Sequence, residues 1–329
     1  MTKYVIGVDG GGTKTELVLV DNEGNLISKE RVGSTNFQAM GGPNVRQELL
    51  DGFEKIINNS KIQLSKIDHI YLGLAGAGRV SDQKSIADLF DDTEYQGKIT
   101  VNSDAIIALA GAFGTEPGII IISGTGAICF GSNERGEVVR SGGWGYLLGD
   151  EGSGYYIGRE AVVSAFKDFD GRGEKTILKK KIIEHFKLQA IDELVPLIYQ
   201  NKIDRIKIAN LAPLVFDCAK KGDAISEGII KKSGQELGKL AKAVAEKLGF
   251  SGEEVNVALI GSIFKQKDLL LNHISKELYE ISWNVSIIDP MFQPSYGAAL
   301  MALKFLNYEI NESLLTTLKN SIKNFIEIQ

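Results

Sequence analysis

Short apolar runs alternate with amphipathic stretches along most of the chain. Apolar runs of about four to eight residues predict buried strands, and apolar residues that recur every three or four positions predict helices. In the first part of the chain these patterns predict strands at 4–8, 16–20, 26–32, 67–74 and 99–102 and helices at 45–58, 81–90 and 105–112. Such alternation is typical of an α/β domain built around a central sheet.

The opening pattern returns at residue 118. The second part predicts strands at 118–122, 127–131, 137–140, 253–260 and 285–288, and helices at 153–169, 176–187, 208–220, 224–248, 268–281, 293–305 and 312–326. Each half thus opens on three strands, with a turn rich in glycine and threonine between the first two. The repeat predicts a duplicated domain with two phosphate-binding loops that face each other across a cleft.

The first turn, at 9–15, contains three consecutive glycines. Consecutive glycines between two strands cost backbone entropy. We therefore expect them where the backbone needs a positive φ or approaches another group closely. A loop of this length can point several N–H groups at one anion such as phosphate. Thr13 and Thr15 add hydroxyl donors, Lys14 adds charge, and Asp9 could hold Mg²⁺ through water. Taken alone, the stretch could also be a plain glycine turn.

Two familiar nucleotide-binding motifs do not fit this loop. Gly7 and Gly12 have the Walker spacing, but Thr13 stands where that motif has lysine. Both the Walker loop and the dinucleotide fingerprint connect a strand to a helix, whereas this loop connects two predicted strands. If the loop binds phosphate, it does so from a β-hairpin.

Composition narrows the class of protein. The 329 residues are 43% hydrophobic and 24% charged, as in globular chains of about two domains. A net charge of −5 argues against nucleic acid or an anionic membrane as the main partner. The chain lacks a secretory-signal pattern and any long apolar segment, and Cys129 and Cys218 are far apart, so we expect a cytoplasmic protein with reduced thiols.

Several motifs resemble those of a known family. The segments at 8–15, 34–36, 103–105, 122–126, 142–145 and 149–153 follow one another as they do in the N-acetylglucosamine kinases. Those kinases belong, with the activator ATPases of acyl-CoA dehydratases, to the sugar kinase/actin/heat-shock chaperone ATPase superfamily. The resemblance covers nearly the whole chain and is strongest through residue 160.

The resemblance implies a fold and a division into domains. We expect two duplicated ribonuclease H-like domains of the actin-like ATPase type, with a central cleft and a larger, helix-rich second domain. The expected boundaries are 1–115 for the first domain and 116–310 for the second. A C-terminal helix at 311–329 would pack on the first domain.

The resemblance also implies an activity. We expect an ATP- and Mg²⁺-dependent kinase for the 6-hydroxyl of N-acetylglucosamine, of N-acetylmuramic acid, or of both, in cell-wall amino-sugar salvage. The substrate would be a small molecule, and similar kinases are usually homodimers. Relatives that act on glucosamine leave that amino sugar open as an alternative.

Residue roles follow from the resemblance position by position. Asp104 resembles the catalytic base, although an aspartate at a strand end could also be a helix N-cap. Asn36 with Gly143, Trp144 and Asp150 resembles the sugar site, although Trp144 could instead belong to the core.

The nucleotide-binding positions are divided between the two glycine-rich turns and a later loop. Thr13 and Thr125 resemble the hydroxyls that bind the ATP phosphates from the two domains, and Asp9 resembles the Mg²⁺ ligand. The implied nucleotide-binding residues are Gly11, Gly12, Thr13, Lys14, Gly124, Thr125, Gly126, Gly261 and Ser262. The last two resemble the loop under adenosine, and a plain strand-to-helix turn is the alternative there.

Two other functions compete with a kinase. An activator ATPase would share an iron–sulfur cluster between two subunits, and such clusters need converging thiolates. Cys129 lies in an apolar strand and Cys218 in a helical stretch, without a glycine-rich cluster loop beside either. A non-catalytic sugar-binding regulator is disfavoured because Asp9, Asp104 and both Gly/Thr loops are intact.

Overall fold

The computed structural model describes residues 2–250, 254–279 and 284–328. It divides the chain into two compact units, one formed by Met1–Glu116 with Asp289–Gln329 and the other by Pro117–Ile288. The predicted strand start at 253 and helix end at 280–281 lie outside the described residues. Among the described helices, none is long and apolar enough to cross a bilayer.

The first unit contains one five-stranded sheet with helices on its faces. Its elements are β1 (Tyr4–Gly10), β2 (Thr15–Asp21), β3 (Leu26–Val32), α1 (Phe37–Met40), α2 (Gly42–Ser60), β4 (Ile67–Leu74), α3 (Val80–Ala87), β5 (Ile99–Ser103) and α4 (Asp104–Phe113). The sheet order is β3-β2-β1-β4-β5, with β1, β2 and β3 antiparallel and β1, β4 and β5 parallel. The carboxyl ends of the three parallel strands therefore lie at the same edge of the sheet.

The second unit contains a sheet of the same kind and most of the helices. Its elements are β6 (Gly118–Ser123), β7 (Ala127–Ser132), β8 (Val138–Gly142), α5 (Gly154–Asp170), α6 (Leu178–Phe186), α7 (Leu194–Tyr199), α8 (Arg205–Ala209), α9 (Ala212–Ala219), α10 (Ala224–Leu248), β9 (Glu254–Ile260), α11 (Asp268–Tyr279) and β10 (Asn284–Ile288). The sheet order is β10-β9-β6-β7-β8.

The two sheets have the same topology. In each, three antiparallel strands form a meander, and two further strands pair in parallel beside the first strand of that meander. The prediction of a duplicated α/β fold is therefore confirmed. The second unit is also the more helical one, as expected.

Residues 289–310, which the expected boundary assigned to the second domain, belong to the first unit together with the C-terminal helix. Helix α12 (Pro294–Phe305) packs against β1 and α4, and α13 (Glu312–Ile328) follows it. Leu300 and Leu303 of α12 and Leu318 of α13 are fully buried in one apolar cluster on this side of the first sheet. Apolar periodicity identifies such helices but does not say which sheet they cover.

One predicted helix is divided in two. The apolar pattern at 208–220 predicts a single helix, whereas the structure has α8 and α9 with a break at Asn210 and Leu211. Pro213 lies in the first turn of α9, where its missing N–H is harmless. In the middle of a longer helix the same proline would remove a hydrogen bond and clash with the preceding turn.

Helix α12 approaches α4 unusually closely at Gly297. A Cβ there would overlap the carbonyl oxygen of Ile107 and the amide nitrogen of Gly111, and backbone atoms cannot rotate away as a side chain can. We expect Gly297→Ala to lower the free energy of unfolding by about 3 kcal/mol, at the upper end for overpacking. Urea unfolding followed by circular dichroism measures this.

Gly228→Ala is the matched control, because Gly228 also lies in a helix but has no atom near the position of its Cβ. It should stabilise the protein by up to about 1 kcal/mol through helix propensity alone. Equal effects of the two substitutions would show that α12 and α4 are not packed as described.

Candidate active site

The first glycine loop is the tip of the β1–β2 hairpin, as predicted. Gly10 and Thr15 form the last strand pair, and the Gly11 amide donates to the Lys14 carbonyl over 3.0 Å. None of the three loop glycines has positive φ, so backbone conformation does not explain them. A Cβ at Gly10 would overlap Thr35, whereas at Gly12 its nearest neighbour would be 3.9 Å away. Packing therefore requires glycine at position 10 and leaves space above position 12.

The segment after β3 supports this loop. The Thr35 amide and the Ser34 hydroxyl both donate to the Gly11 carbonyl, over 3.2 and 3.1 Å. The Thr15 and Thr35 hydroxyls share a buried hydrogen bond of 2.8 Å. Thr15, which the sequence suggested as a phosphate donor, is thus fully buried and engaged with Thr35. The loop is braced from below, and its open side is left to Gly12 and Thr13.

Asn36 lies beside the loop. Its Oδ1 caps α1 by accepting from the Ala39 amide over 3.1 Å. Its Nδ2 is the atom that a Cβ on Gly12 would meet first, and it donates to no described residue in the structure. A free amide donor at this position can bind a hydroxyl or a carbonyl of a ligand.

Asp9 and Asp104 lie at the carboxyl ends of parallel strands. Asp9 is in β1, and Asp104 is the first residue of α4 directly after β5. Burial, then the negative charges of Asp104 and Glu16, raise the pKa of Asp9 to about 6, while Lys14 lowers it. Partial removal from water also raises the pKa of Asp104, and hydrogen bonds from the backbone amides of Asp104 and Ala105 lower it by less. The N-cap of α4 is Ser103, so Asp104 is not the cap.

The surroundings of Asp9 fit Mg²⁺. Within the described residues, no three histidine, cysteine, aspartate or glutamate side chains form a group that could hold a metal by themselves. Mg²⁺ usually binds one or two carboxylates together with substrate phosphates and water. Asp9 supplies one carboxylate in a negative field next to a loop open to an anion, and a cation there would relieve the repulsion.

A cavity of about 490 Å³ in the first unit includes Asp9 and the first glycine loop in its lining, but not Asn36 or Asp104. It is lined by predicted site residues, namely Asp9, Gly11, Gly12, Thr13 and Lys14. It is also lined by three charged residues that the sequence analysis did not single out: Glu16, Lys29 and Arg31. Alternation of charge along β3 could have indicated Lys29 and Arg31, but their convergence with Glu16 of β2 depends on strand register.

The second glycine loop is the tip of the β6–β7 hairpin. The Gly124 amide donates to the Gly126 carbonyl over 2.9 Å, and the Gly154 amide, at the start of α5, donates to the Gly124 carbonyl over 2.7 Å. A Cβ at Gly124 would have its nearest neighbour, the Ser262 hydroxyl, 3.9 Å away. This loop, like the first, is braced by its own unit and open on one side.

A second cavity, of about 420 Å³, begins at this loop within the second unit. Gly124, Thr125 and Ser262 line it, and apolar atoms of Pro213 and Phe216 extend it. A phosphate-type loop that leads into a partly apolar recess suits the phosphates and the base of a nucleotide. Pro213 and Phe216 were not predicted as site residues, because nothing local to the sequence distinguishes them from core.

Position 261 requires glycine because of its backbone conformation and its close approach to a neighbouring strand. Its φ is +116°, and a Cβ would overlap the backbone of Ser123 at the end of β6. The close approach holds the turn after β9 against the second glycine loop. Gly261 and Ser262 therefore lie beside the second glycine loop, and their contact with adenosine stays a prediction.

Asp150 lies under the second glycine loop. It is buried, it accepts from the Ala127 amide over 3.3 Å, and its carboxylate is the first group that a Cβ on Gly126 would meet. Its φ is +63°, an unusual conformation for aspartate. In the described structure this carboxylate stabilises the loop, and its contact with sugar stays a prediction.

Trp144 is not part of the core. Its side chain is 62% exposed, and the guanidinium of Arg140 lies 4.2 Å from the centre of its ring. Gly143 precedes it with positive φ, where a Cβ would overlap Ile128. The indole is therefore available to a ligand. Of the predicted sugar-binding set, Asn36 and Asp104 belong to the first unit, and Gly143, Trp144 and Asp150 to the second.

Curated relatives match the chain over most of its length. It is 37% identical to an N-acetylmuramic acid/N-acetylglucosamine kinase of Clostridium acetobutylicum over 91% of this chain and 98% of that protein. It is 35% identical to an N-acetyl-D-glucosamine kinase of Dictyostelium discoideum over 92% of this chain and 99% of that protein.

One solved structure has a similar fold, and one family model matches most of the chain. The fold is similar to that of a Chromobacterium violaceum protein provisionally described as an N-acetylglucosamine kinase, with a TM-score of 0.71, 24% identity, and coverage of 92% of this chain and 99% of the other. The model of the BadF/BadG/BcrA/BcrD ATPase family matches residues 6–302. The expected family resemblance is thereby confirmed, and the chain belongs to the BadF/BadG/BcrA/BcrD ATPase family.

Proposed function

We propose that the protein is an ATP-dependent amino-sugar kinase that phosphorylates the 6-hydroxyl of N-acetylglucosamine, N-acetylmuramic acid or both, in amino-sugar salvage. The observation on which this depends is the placement of Asp104 and Asp9 at one sheet edge, beside a glycine loop that is open above Gly12. The activities named for the two curated relatives favour an amino sugar as acceptor.

Phosphoryl transfer requires positioning, neutralisation of charge and a base for the attacking hydroxyl. Asp104 would accept the proton of the sugar 6-hydroxyl, and its raised pKa makes it a stronger base than an ordinary aspartate. Asn36 Nδ2 would orient the sugar from beside the loop, and Trp144 would offer an apolar surface to the ring. Asp9 would hold Mg²⁺, which supplies neutralisation of phosphate charge.

The loop amides and hydroxyls would bind the phosphates. Gly11, Gly12, Thr13 and Lys14 offer donors in the first unit, and Gly124, Thr125 and Gly126 do so in the second. The partly apolar cavity next to Ser262 would bind the adenosine. Exclusion of water from the bound substrates would favour transfer to sugar over hydrolysis.

An activator ATPase is less compatible with the positions of the thiols. Cys129 and Cys218 are both buried, at 0% and 2% exposure. A cluster shared between two subunits needs cysteines at a surface that both subunits can reach. A colourless purified protein with kinase activity would agree with this reading.

The open space at Gly12 gives a test of the phosphate loop. We expect Gly12→Ala to leave the melting temperature unchanged, because a Cβ has room there, and to raise the KM for ATP about tenfold by blocking close approach of phosphate. Gly10→Ala is the contrast, since it should destabilise the fold by overlap with Thr35. An unchanged KM in Gly12→Ala would remove this loop from ATP binding.

A coupled ADP-release assay with a panel of sugars tests the proposed function. We expect turnover with N-acetylglucosamine or N-acetylmuramic acid to exceed that with glucosamine and glucose. A preference for glucosamine would favour the alternative amino sugar. ADP release that is independent of any sugar would contradict a kinase.

A further inference from the structure

The cavity of the first unit extends beyond the glycine loop along one face of β2 and β3. Glu16 and Arg31 are directly opposite each other in the β2–β3 pair, and Lys29 is two residues along on the same face. Next to them, Gln293 and Pro294 of the segment that opens α12 complete the lining. The N-terminus of α12 adds partial positive charge through its helix dipole. The side chain of its N-cap residue, Gln293, makes no capping hydrogen bond that would offset this charge.

Glu16 anchors the two cations. Its carboxylate lies 3.0 Å from Lys29 Nζ and 3.6 Å from an Arg31 guanidinium nitrogen, and it accepts from the Ser295 hydroxyl over 2.7 Å. Burial alone would raise the pKa of Glu16, but the bonds from Ser295 and Lys29 outweigh it and lower the pKa. The carboxylate therefore stays ionised and fixes both side chains near the loop.

The group has more positive than negative charge. The Glu16 carboxylate can neutralise only one of the two cations, Lys29 and Arg31. Lys29 is held more firmly than Arg31, because its ammonium group also lies 5.2 Å from the centre of the Tyr296 ring. The Arg31 side chain is 61% exposed, and it donates no hydrogen bond to any residue that the structure describes. A guanidinium has five N–H donors, and those of Arg31 remain available at the edge of the cavity.

We propose that Arg31, supported by Lys29, binds phosphate oxygens of the nucleotide, so that the cavity accepts a chain of phosphates rather than a single one. Arginine matches phosphate geometry with paired N–H donors. The glycine loop and Lys14 line one part of the cavity, and Arg31 lines another. The identity of the ligand as ATP rests on the proposed function, whereas the anion site rests only on these contacts.

The experiment is a calorimetric titration of the full-length protein with inorganic tripolyphosphate at low ionic strength. We expect wild type to bind, and Arg31→Ala to bind about tenfold to a hundredfold more weakly, as for loss of charged hydrogen bonds. Lys55→Ala is the matched control: Lys55 is half exposed and paired with Glu30, and it does not line the cavity, so binding should not change.

Kinetics separate this proposal from the proposed function. In Arg31→Ala the KM for ATP should rise about tenfold or more while the KM for the sugar changes less than about twofold. Equal tripolyphosphate affinity of Arg31→Ala and wild type, or no binding by wild type, would overturn the anion site. A protein without sugar kinase activity whose tripolyphosphate binding still depends on Arg31 would overturn only the proposed function.

Discussion

Asp104→Asn should lower kcat for sugar phosphorylation by about 10²–10⁴-fold, the range for loss of a general base. Asparagine keeps the size of the side chain at the first position of α4 and cannot accept the proton. Because Ser103, and not Asp104, is the N-cap, the fold should be retained. Rates from the ADP-release assay, with unfolding curves as a check, measure the effect.

Asp268→Asn is the matched control for this substitution. Asp268 also opens a helix, α11, and is exposed, but it lies outside the candidate site. Its replacement should leave kcat within about twofold, as for a surface change. Near-normal turnover in Asp104→Asn would show that another group accepts the proton.

Asp9→Asn should separate activity from stability. Loss of the proposed Mg²⁺ ligand should lower kcat/KM by about 10²-fold or more. In the folded protein the pKa of Asp9 is raised from 3.8 to about 6, so the ionised carboxylate destabilises the fold at neutral pH. Without Mg²⁺ and nucleotide, the variant should therefore be more stable than wild type at pH 7, by up to about 3 kcal/mol.

The sign of the pH dependence follows from the same shift. Below 3.8 Asp9 is protonated in both the folded and the unfolded chain, so wild type and variant should have equal stability. The destabilisation by Asp9 grows as pH rises toward 6 and is constant above it. Urea unfolding across this range checks the trend, and a variant less stable than wild type at pH 7 would contradict it.

The glycine loops were predictable because their signal is local. Three glycines and a threonine between two apolar runs at 4–20, and a similar turn at 123–126, indicate phosphate-type hairpins without knowledge of the fold. The repeat also indicated that both halves have the same strand order. Positive φ was one of two explanations offered for the first loop, and the structure favours the other, close approach at Gly10.

The contacts that depend on distant parts of the chain were not predictable. The Glu16, Lys29 and Ser295 group requires the register of β2 with β3 and the return of the chain to the first unit. Likewise, Pro213 and Phe216 line the second cavity next to Asn210, at the break between α8 and α9. The proline at 213 was a signal for that break, but the apolar periodicity around it is continuous.

The position of the transferred phosphate tests the central claim most directly. Incubation of the protein with ATP, Mg²⁺ and N-acetylglucosamine, followed by ³¹P–¹H correlation spectroscopy of the product, identifies the carbon that bears the phosphoester. We predict coupling of the phosphorus to the two protons on C6. Coupling to the anomeric proton, or inorganic phosphate as the sole product, would contradict an amino-sugar 6-kinase.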